Sequence, residues 1–410
     1  MHSALWIPPR WIEYTYYFVF SYSILAPYLG IEIPLFAAGL TVALGGLCLF
    51  KMGSRRKEIC APSALLFACS ISFILVQISM HSASVLDAII RSSILWILGL
   101  IIMQSLCLRR GFLHRCTIVL SMVGLIAVPH LTFRGGTEAV ARAAAEIEIG
   151  GGLTNPNGLA VWFGFCVVSF GISALETKRG MVVQMLYGLA AVGSLLIVGL
   201  TVSRGALLGC AIALTVGFRR FLKRAFVPAL LLIIFAGFVL VSGLVDQFIS
   251  GYEERATEET GRFLVWPVVI KRFLASPIVG VGAVNIATSI PETGQVFMPH
   301  NSFLFFALSS GIVPLALYVA FWTGAARRSF SDVEGSEYSP FRTPLLLYTL
   351  TAFLLSSIST EPWALLALTV GAGAGISHRR ERLFVTHRRL RRRRIAPAVQ
   401  SPSKFGMIQE

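Results

Sequence analysis

Asn157 to Thr201 reads NGLAVWFGFCVVSFGISAL, then ETKRG, then MVVQMLYGLAAVGSLLIVGLT. Two long runs without a charged residue flank a short break that holds Lys178 and Arg179. The hydrocarbon core of a bilayer is about 30 Å thick, and a helix rising about 1.5 Å per residue crosses it with about 20 apolar residues. Each run has that length, so the pair reads as two membrane-crossing helices joined by a basic turn.

The same alternation continues in both directions. Crossings are expected near 12–30, 32–50, 61–80, 87–107, 117–133, 157–175, 181–201, 205–218, 227–245, 302–324, 344–360 and 362–377. Twelve crossings return both termini to one side. Trp11 to Gly30 is a full-length, aromatic-rich run with no small-residue cleavage site behind a short apolar core, so it reads as an anchor that is kept. The expected fold class is an all-α polytopic membrane protein. Its transmembrane domain covers 1–377, with outer loops near 134–155 and 246–301, and a basic tail covers 378–410.

Composition agrees. Of the 410 residues 55% are hydrophobic and 13% charged, against about 25% charged in an average soluble domain. A net charge of +15 raises the question of nucleic acid, but the basic residues fall in short clusters between apolar runs and in one tail. That distribution is a topology signal. Alternate connections hold Lys51, Arg55, Arg56 and Lys57; Arg109, Arg110 and Arg115; Lys178 and Arg179; Arg219, Arg220, Lys223 and Arg224; and Arg327, Arg328 and Arg342. With Arg10 and the tail they account for 27 of the 35 Lys and Arg residues, which marks that side as cytoplasmic. Arg91, Arg134, Arg142, Arg204, Arg255, Arg262, Lys271 and Arg272 are left outside, against the bias.

Among the outer connections, Arg134 to Asn155 is rich in Ala, Glu and Gly, and Asp246 to Asn301 is the longest. Within the latter, Arg262 to Ser276 mixes Trp266, Val269, Ile270 and Phe273 with Lys271 and Arg272, the pattern of an amphipathic helix at the interface. Pro267 is expected to kink that helix or mark its start. The tail packs nine arginines into the 17 residues from His378 to Arg394, which suits attraction to anionic membrane lipids. It lacks the aromatic interleaving of an RNA-binding segment. The seven cysteines lie in apolar runs or beside basic clusters, which points to neither a disulfide nor a cysteine metal site.

Three residues expected on the outer side are candidates to carry chemistry. Arg204, in SRGA between two apolar runs, either snorkels to lipid phosphates or grips a phosphate or pyrophosphate through its planar fork. Arg262 opens the amphipathic helix in GRFLVW; alone it reads equally as a solvated charge beside a tryptophan anchor. His300, in PHNSFL, sits where a crossing begins, and an imidazole with an ordinary pKa of about 6.5 can accept a proton from a sugar hydroxyl near neutral pH. An ordinary interfacial histidine is the alternative, and no other histidine stands at a zinc-ligand spacing from it. All three share the outer side, where a pyrophosphate grip beside a candidate base makes a glycosyl-transfer constellation. A nucleotide sugar is not available there, so the donor has to ride on a lipid.

The order NPNGLA from Asn155, then SRGALLG, then GRFLVW with P-x-x-G-x-G, then HNSFL followed by Gly311, resembles the O-antigen ligase and O-antigen polymerase superfamily. The resemblance covers roughly residues 150 to 315. It implies a GT-C-type glycosyltransferase of the bacterial inner membrane, with its active site facing the periplasm. Such an enzyme is inverting, metal-independent and without a cofactor, and takes its glycan from an undecaprenyl-pyrophosphate carrier. The acceptor is lipid A-core in a ligase, or another repeat unit of O-antigen or exopolysaccharide in a polymerase. The family's donor-binding arginines map onto Arg204 and Arg262, and its loop histidine onto His300 as the acceptor-activating base. Arg91 and Arg134 are further outer cations within possible reach of the donor. Pro267 departs from the family's usual pattern.

Two readings from other classes stand beside this one. A flippase or transporter of lipid-linked glycans needs ionisable groups or broken helices at mid-membrane, whereas the charges here lie at the ends of the runs. Asp87 and Arg91 are the exception, four residues apart and spaced for an intrahelical pair. A non-catalytic membrane scaffold would dispense with the three outer groups.

Overall fold

The computed structural model describes residues 6–30, 36–53, 61–80, 83–134, 142–147, 152–175, 180–218, 262–289, 296–330, 340–355 and 362–376. The expected crossing at 227–245, most of the loop before Arg262, and the tail from His378 lie outside the described residues. The first helices are α1 (Arg10–Leu29), α2 (Phe36–Gly53), α3 (Ala61–Met80), α4 (Ala83–Leu106) and α5 (Phe112–Gly124). After a small sheet come α6 (Pro156–Leu175), α7 (Met181–Leu200) and α8 (Arg204–Phe218). The remainder are α9 (Arg262–Ala275), α10 (Ser302–Ser310), α11 (Ile312–Phe330), α12 (Arg342–Leu355) and α13 (Pro362–Ile376).

Among the described residues five helical segments are long and apolar enough to cross a membrane: Ala61–Met80, Ile89–Leu106, Phe112–His130, Pro156–Leu175 and Met181–Leu200. Four more, Phe36–Lys51, Arg204–Phe218, Arg342–Leu355 and Leu365–Ile376, are apolar but shorter. Helix α6 runs through the middle of the bundle with 94% of its apolar window buried, while α7 beside it buries 22% and turns Met181, Val182, Leu186 and Leu189 outward. For a helix without charges, such exposure suits lipid rather than water.

One end of the bundle is tied by charge. Glu13 of α1 is 2% exposed, and its carboxylate accepts from Arg109 Nε and Arg115 Nη2, each at 2.8 Å. The Tyr17 hydroxyl donates to the same group at 2.8 Å, and Arg109 Nη1 donates to the Pro8 carbonyl at 2.6 Å. These arginines, read from the sequence as orientation signals, also lock α1 to the α4–α5 turn.

The structure departs from the sequence reading in three places. The expected crossing at 117–133 begins earlier, at Phe112, tightens after Gly124 into a 3-10 turn over Leu125–His130 that contains Pro129, and then becomes strand β1 (Leu131–Arg134). Strand β1 pairs antiparallel with β2 (Arg142–Ile147), and β2 with β3 (Gly152–Leu153). Strands β4 (Thr288–Ser289) and β5 (Val296–Phe297) form a second small pair. The fold remains all-α in class, and these short strands are additions within its connections that the sequence reading did not anticipate, formed because pairing with a neighbouring strand outweighs the weak strand preference of an Ala-rich segment.

The third departure bears on function. The expected single crossing at 302–324 is two helices, broken at Gly311, whose φ is 82°. The Tyr318 hydroxyl donates to Ser302 Oγ at 3.1 Å across 16 residues, a separation that one straight helix would stretch to about 24 Å at about 1.5 Å per residue. Helix α10 thus folds back along α11. A Cβ on Gly311 would collide with the Ile278 carbonyl, and one on Gly280 with the Leu308 carbonyl, so both positions need glycine for the backbones to touch. The freed carbonyls at the end of α10 are met: Val281 N–H donates to Leu308 O at 2.7 Å and Gly282 N–H to Ser309 O at 3.2 Å. The segment Pro277 to Gly282 is therefore a cap on a broken helix as well as a turn.

Candidate functional site

Arg204 is the first residue of α8 and is exposed, while Thr201, Val202 and Ser203 before it are buried. The turn is held by Thr201 N–H to Ile197 O at 3.1 Å, Val202 N–H to Gly199 O at 2.8 Å and Leu207 N–H to Ser203 O at 3.2 Å. Next to Arg204, a Cβ on Gly205 would stand 3.0 Å from Leu355 Cβ, so the start of α8 lies directly against the end of α12.

His300 reaches the same place by another route. It is half-buried, and its neighbours on both sides are pinned. The carbonyl of Pro299 accepts the indole N–H of Trp266 at 2.8 Å. Asn301 caps α10, its Oδ1 accepting from Phe303 N–H at 2.9 Å and Leu304 N–H at 3.1 Å. Ser302 Oγ donates to the carbonyl of Phe353 in α12 at 2.8 Å. Phe353 and Leu355 are two residues apart, so the turn bearing Arg204 and the segment bearing His300 abut the same end of α12.

Arg262 is the first residue of α9, and Trp266 one turn later makes the bond to Pro299. Pro267 lies inside this helix rather than at its start. Val265 and Val269 are fully buried against Ile286 and Leu308, while Ile270 and Leu274 face outward at 46% and 67% exposure. Helix α9 thus docks one apolar stripe on α10 and presents another. Gln77 of α3, with no exposed surface, fastens this assembly to the bundle. Its Nε2 donates to Ser309 O at 3.0 Å and its Oε1 accepts from Ala283 N–H at 2.8 Å.

Other cations that the sequence reading places outside have structural partners. Arg272 donates to Ala287 O at 3.0 Å, Thr288 Oγ1 at 2.9 Å and Asn285 O at 2.8 Å, folding the loop onto α9. Arg91 Nε donates to Asp87 Oδ1 at 2.8 Å, one turn away on an exposed face of α4. Arg134 ends β1, paired in register with Arg142 of β2. Asn155, which opens the NPNGLA motif, precedes α6 and accepts from Asn157 N–H at 2.9 Å, with Pro156 as the first helical residue, where a missing N–H costs nothing. Among the described residues no three His, Cys, Asp or Glu side chains gather to hold a metal ion.

Backbone conformation singles out the same two turns. Among the described residues only two non-glycine residues have positive φ: Val202 at 52° and His300 at 46°. One lies two residues before Arg204 and the other is the candidate base itself. Such conformations are uncommon outside glycine, and for a β-branched residue they are outliers that persist only where the surroundings over-determine them.

Residues 189–319 match the family model described as O-antigen ligase. This stretch, 131 of the 410 residues, is similar to that family. It runs from within α7 to within α11 and so includes Arg204, Arg262 and His300, whereas α12 lies beyond it. A search of curated proteins finds no match to the chain. Helices long and apolar enough to cross a membrane, together with the match over residues 189–319, mark a membrane protein that is similar to the O-antigen ligase family over that stretch.

Proposed function

We propose that the protein is a GT-C-like, metal-independent inverting glycosyltransferase of the bacterial inner membrane. It would transfer a glycan from a polyprenyl-pyrophosphate carrier to lipid A-core or to another glycan repeat unit, at a site facing the periplasm. Arg204 and Arg262 hold the donor pyrophosphate, and His300 is the base. The acceptor hydroxyl oxygen attacks the anomeric carbon opposite the pyrophosphate while its proton passes to the imidazole. The bond from the anomeric carbon to the pyrophosphate oxygen breaks, and its electron pair leaves on the pyrophosphate. The added negative charge develops where guanidinium groups bind most strongly, which lowers the barrier rather than only tightening the ground state. Arg91 and Arg134 are secondary donor contacts, weakened in the case of Arg91 by its pairing with Asp87.

The observation that carries this reading is the meeting of the Arg204 turn and the His300 segment at the Phe353–Leu355 end of α12. A scaffold or a flippase has no need of a pinned histidine beside an anion grip. The test is transfer by purified protein in nanodiscs, with lipid-linked donor binding measured separately. A positioned base contributes about 10²–10⁴-fold, so His300→Ala should lose about that factor in transfer while still binding donor. Parallel loss of binding and transfer would make His300 a donor ligand, and survival of both would remove it from the mechanism.

A further inference from the structure

Val202 is a poor choice for its own backbone. Two heavy substituents on its Cβ make the left-handed region costly, yet its φ is 52° and its side chain is 5% exposed. Glycine would adopt that conformation freely. The turn is boxed on every side: Thr201 has no exposed surface and its Oγ1 donates to Val198 O at 2.6 Å, Ser203 is buried, and Gly205 is pressed against Leu355. A turn of three buried residues that launches a helix with an exposed Arg204 fixes the point and direction from which that side chain leaves the backbone.

The geometry points to Val202 as a positioning residue for the donor-gripping Arg204. The buried isopropyl group holds the turn in one left-handed state, where glycine would also visit neighbouring states and let the start of α8 drift. Strain retained at a site in this way is preorganisation, since an error of about 1 Å in a reacting complex can cost about 10²-fold in rate. This inference rests on the donor role proposed for Arg204.

Two variants separate positioning from packing. Val202→Gly removes the strain and the constraint together. Relief of the strain offsets part of the lost packing, so its melting temperature should fall no further than that of Val202→Ala, while the KM for lipid-linked donor rises about 10-fold and the KM for acceptor stays put. Val202→Ala keeps a Cβ and loses buried methyl groups, so its melting temperature should fall while donor KM stays within about 3-fold of the parent. Full donor affinity in Val202→Gly overturns the proposal, as does a Val202→Ala donor KM raised as far as that of Val202→Gly, which would leave Val202 a packing residue. Arg204→Ala measured alongside keeps the two claims apart. Unchanged donor KM there sinks the donor role itself, whereas a raised KM there with a normal Val202→Gly sinks only the role of Val202.

Discussion

Trp266→Phe tests whether α9 and His300 act as one unit. The substitution keeps an aromatic ring on α9 and deletes a single hydrogen bond, the 2.8 Å contact from the indole N–H to the Pro299 carbonyl. Pro299 is buried, so its carbonyl loses its indole partner where water cannot readily replace it, at a cost of about 1–3 kcal/mol. Part of that cost lowers stability. The remainder is relieved if Pro299 shifts, and His300 shifts with it, because the two share a peptide bond. A displacement of about 1 Å costs about 10²-fold in rate, so transfer at saturating donor and acceptor should fall about 10- to 100-fold with donor affinity little changed. The decisive assay is a double-mutant cycle in nanodiscs. In a His300→Ala background Trp266→Phe should cost almost nothing further, because the group it positions is gone. Full additivity, or wild-type transfer together with a lowered melting temperature, would refute the coupling and leave the bond a structural strut.

Other outcomes follow from the same geometry. Arg204→Lys replaces a planar fork with a point charge, and losing one charge-assisted hydrogen bond of about 1.5–3 kcal/mol should slow transfer by about one to two orders of magnitude at limiting donor; near-normal turnover would favour simple snorkelling. Glu13→Gln leaves Arg109 and Arg115 without their shared carboxylate at the far end of the bundle, and should cost about 2–3 kcal/mol of stability, tempered by the half-exposure of Arg115, with transfer by the folded fraction unchanged. Single cysteines at Thr257 and Ser401, in a background without the native cysteines, should react and fail to react respectively with an impermeant thiol reagent in intact cells. The reverse pattern would turn the candidate site toward the nucleotide-sugar pool and overturn its chemistry.

What was legible in the sequence was what side chains announce. Uncharged runs such as Met181–Leu200 read directly as helices because a continuous apolar run of about 20 residues suits a helical crossing, whereas a barrel strand needs only about 9–11 residues. The amphipathic character of α9 was visible in the mixing of Trp266, Val269, Ile270 and Phe273 with Lys271 and Arg272, although the buried stripe is Val265 and Val269 and Ile270 faces outward. Arg204 and His300 stood out because their charge and titration are rare between apolar runs, although their chemical roles remain the substance of the proposal. Two cations expected on the outer side stood out equally and have ordinary structural employment: Arg272 on its own loop and Arg91 on Asp87. A cation against the topology bias identifies a position that needs a partner without telling protein from ligand.

The groups that assemble the candidate site gave no comparable signal, for a physical reason. Phe353 contributes a backbone carbonyl, Leu355 a surface for Gly205 to approach, and Pro299 another carbonyl. Every residue has a carbonyl, so its use depends on tertiary placement and leaves no mark in residue type. The break at Gly311 was hidden for a related reason. The run through it is continuously apolar, which is the pattern of one crossing. What divides it is the backbone of Pro277 to Gly282, about thirty residues earlier in the chain, supplying the N–H groups that a broken helix requires. Gln77 shows the same dependence from the other side. A lone amide in an apolar helix reads as a tolerated polar residue, yet with one group aimed at Ser309 and the other at Ala283 it joins α3 to the loop that carries α9. Because α10 both accepts that loop and begins beside His300, a change in loop docking has a short mechanical path to the candidate base. Substitutions at Gly280 or Gly311 should therefore disturb transfer through displaced backbone, even though neither residue has a side chain to offer the reaction.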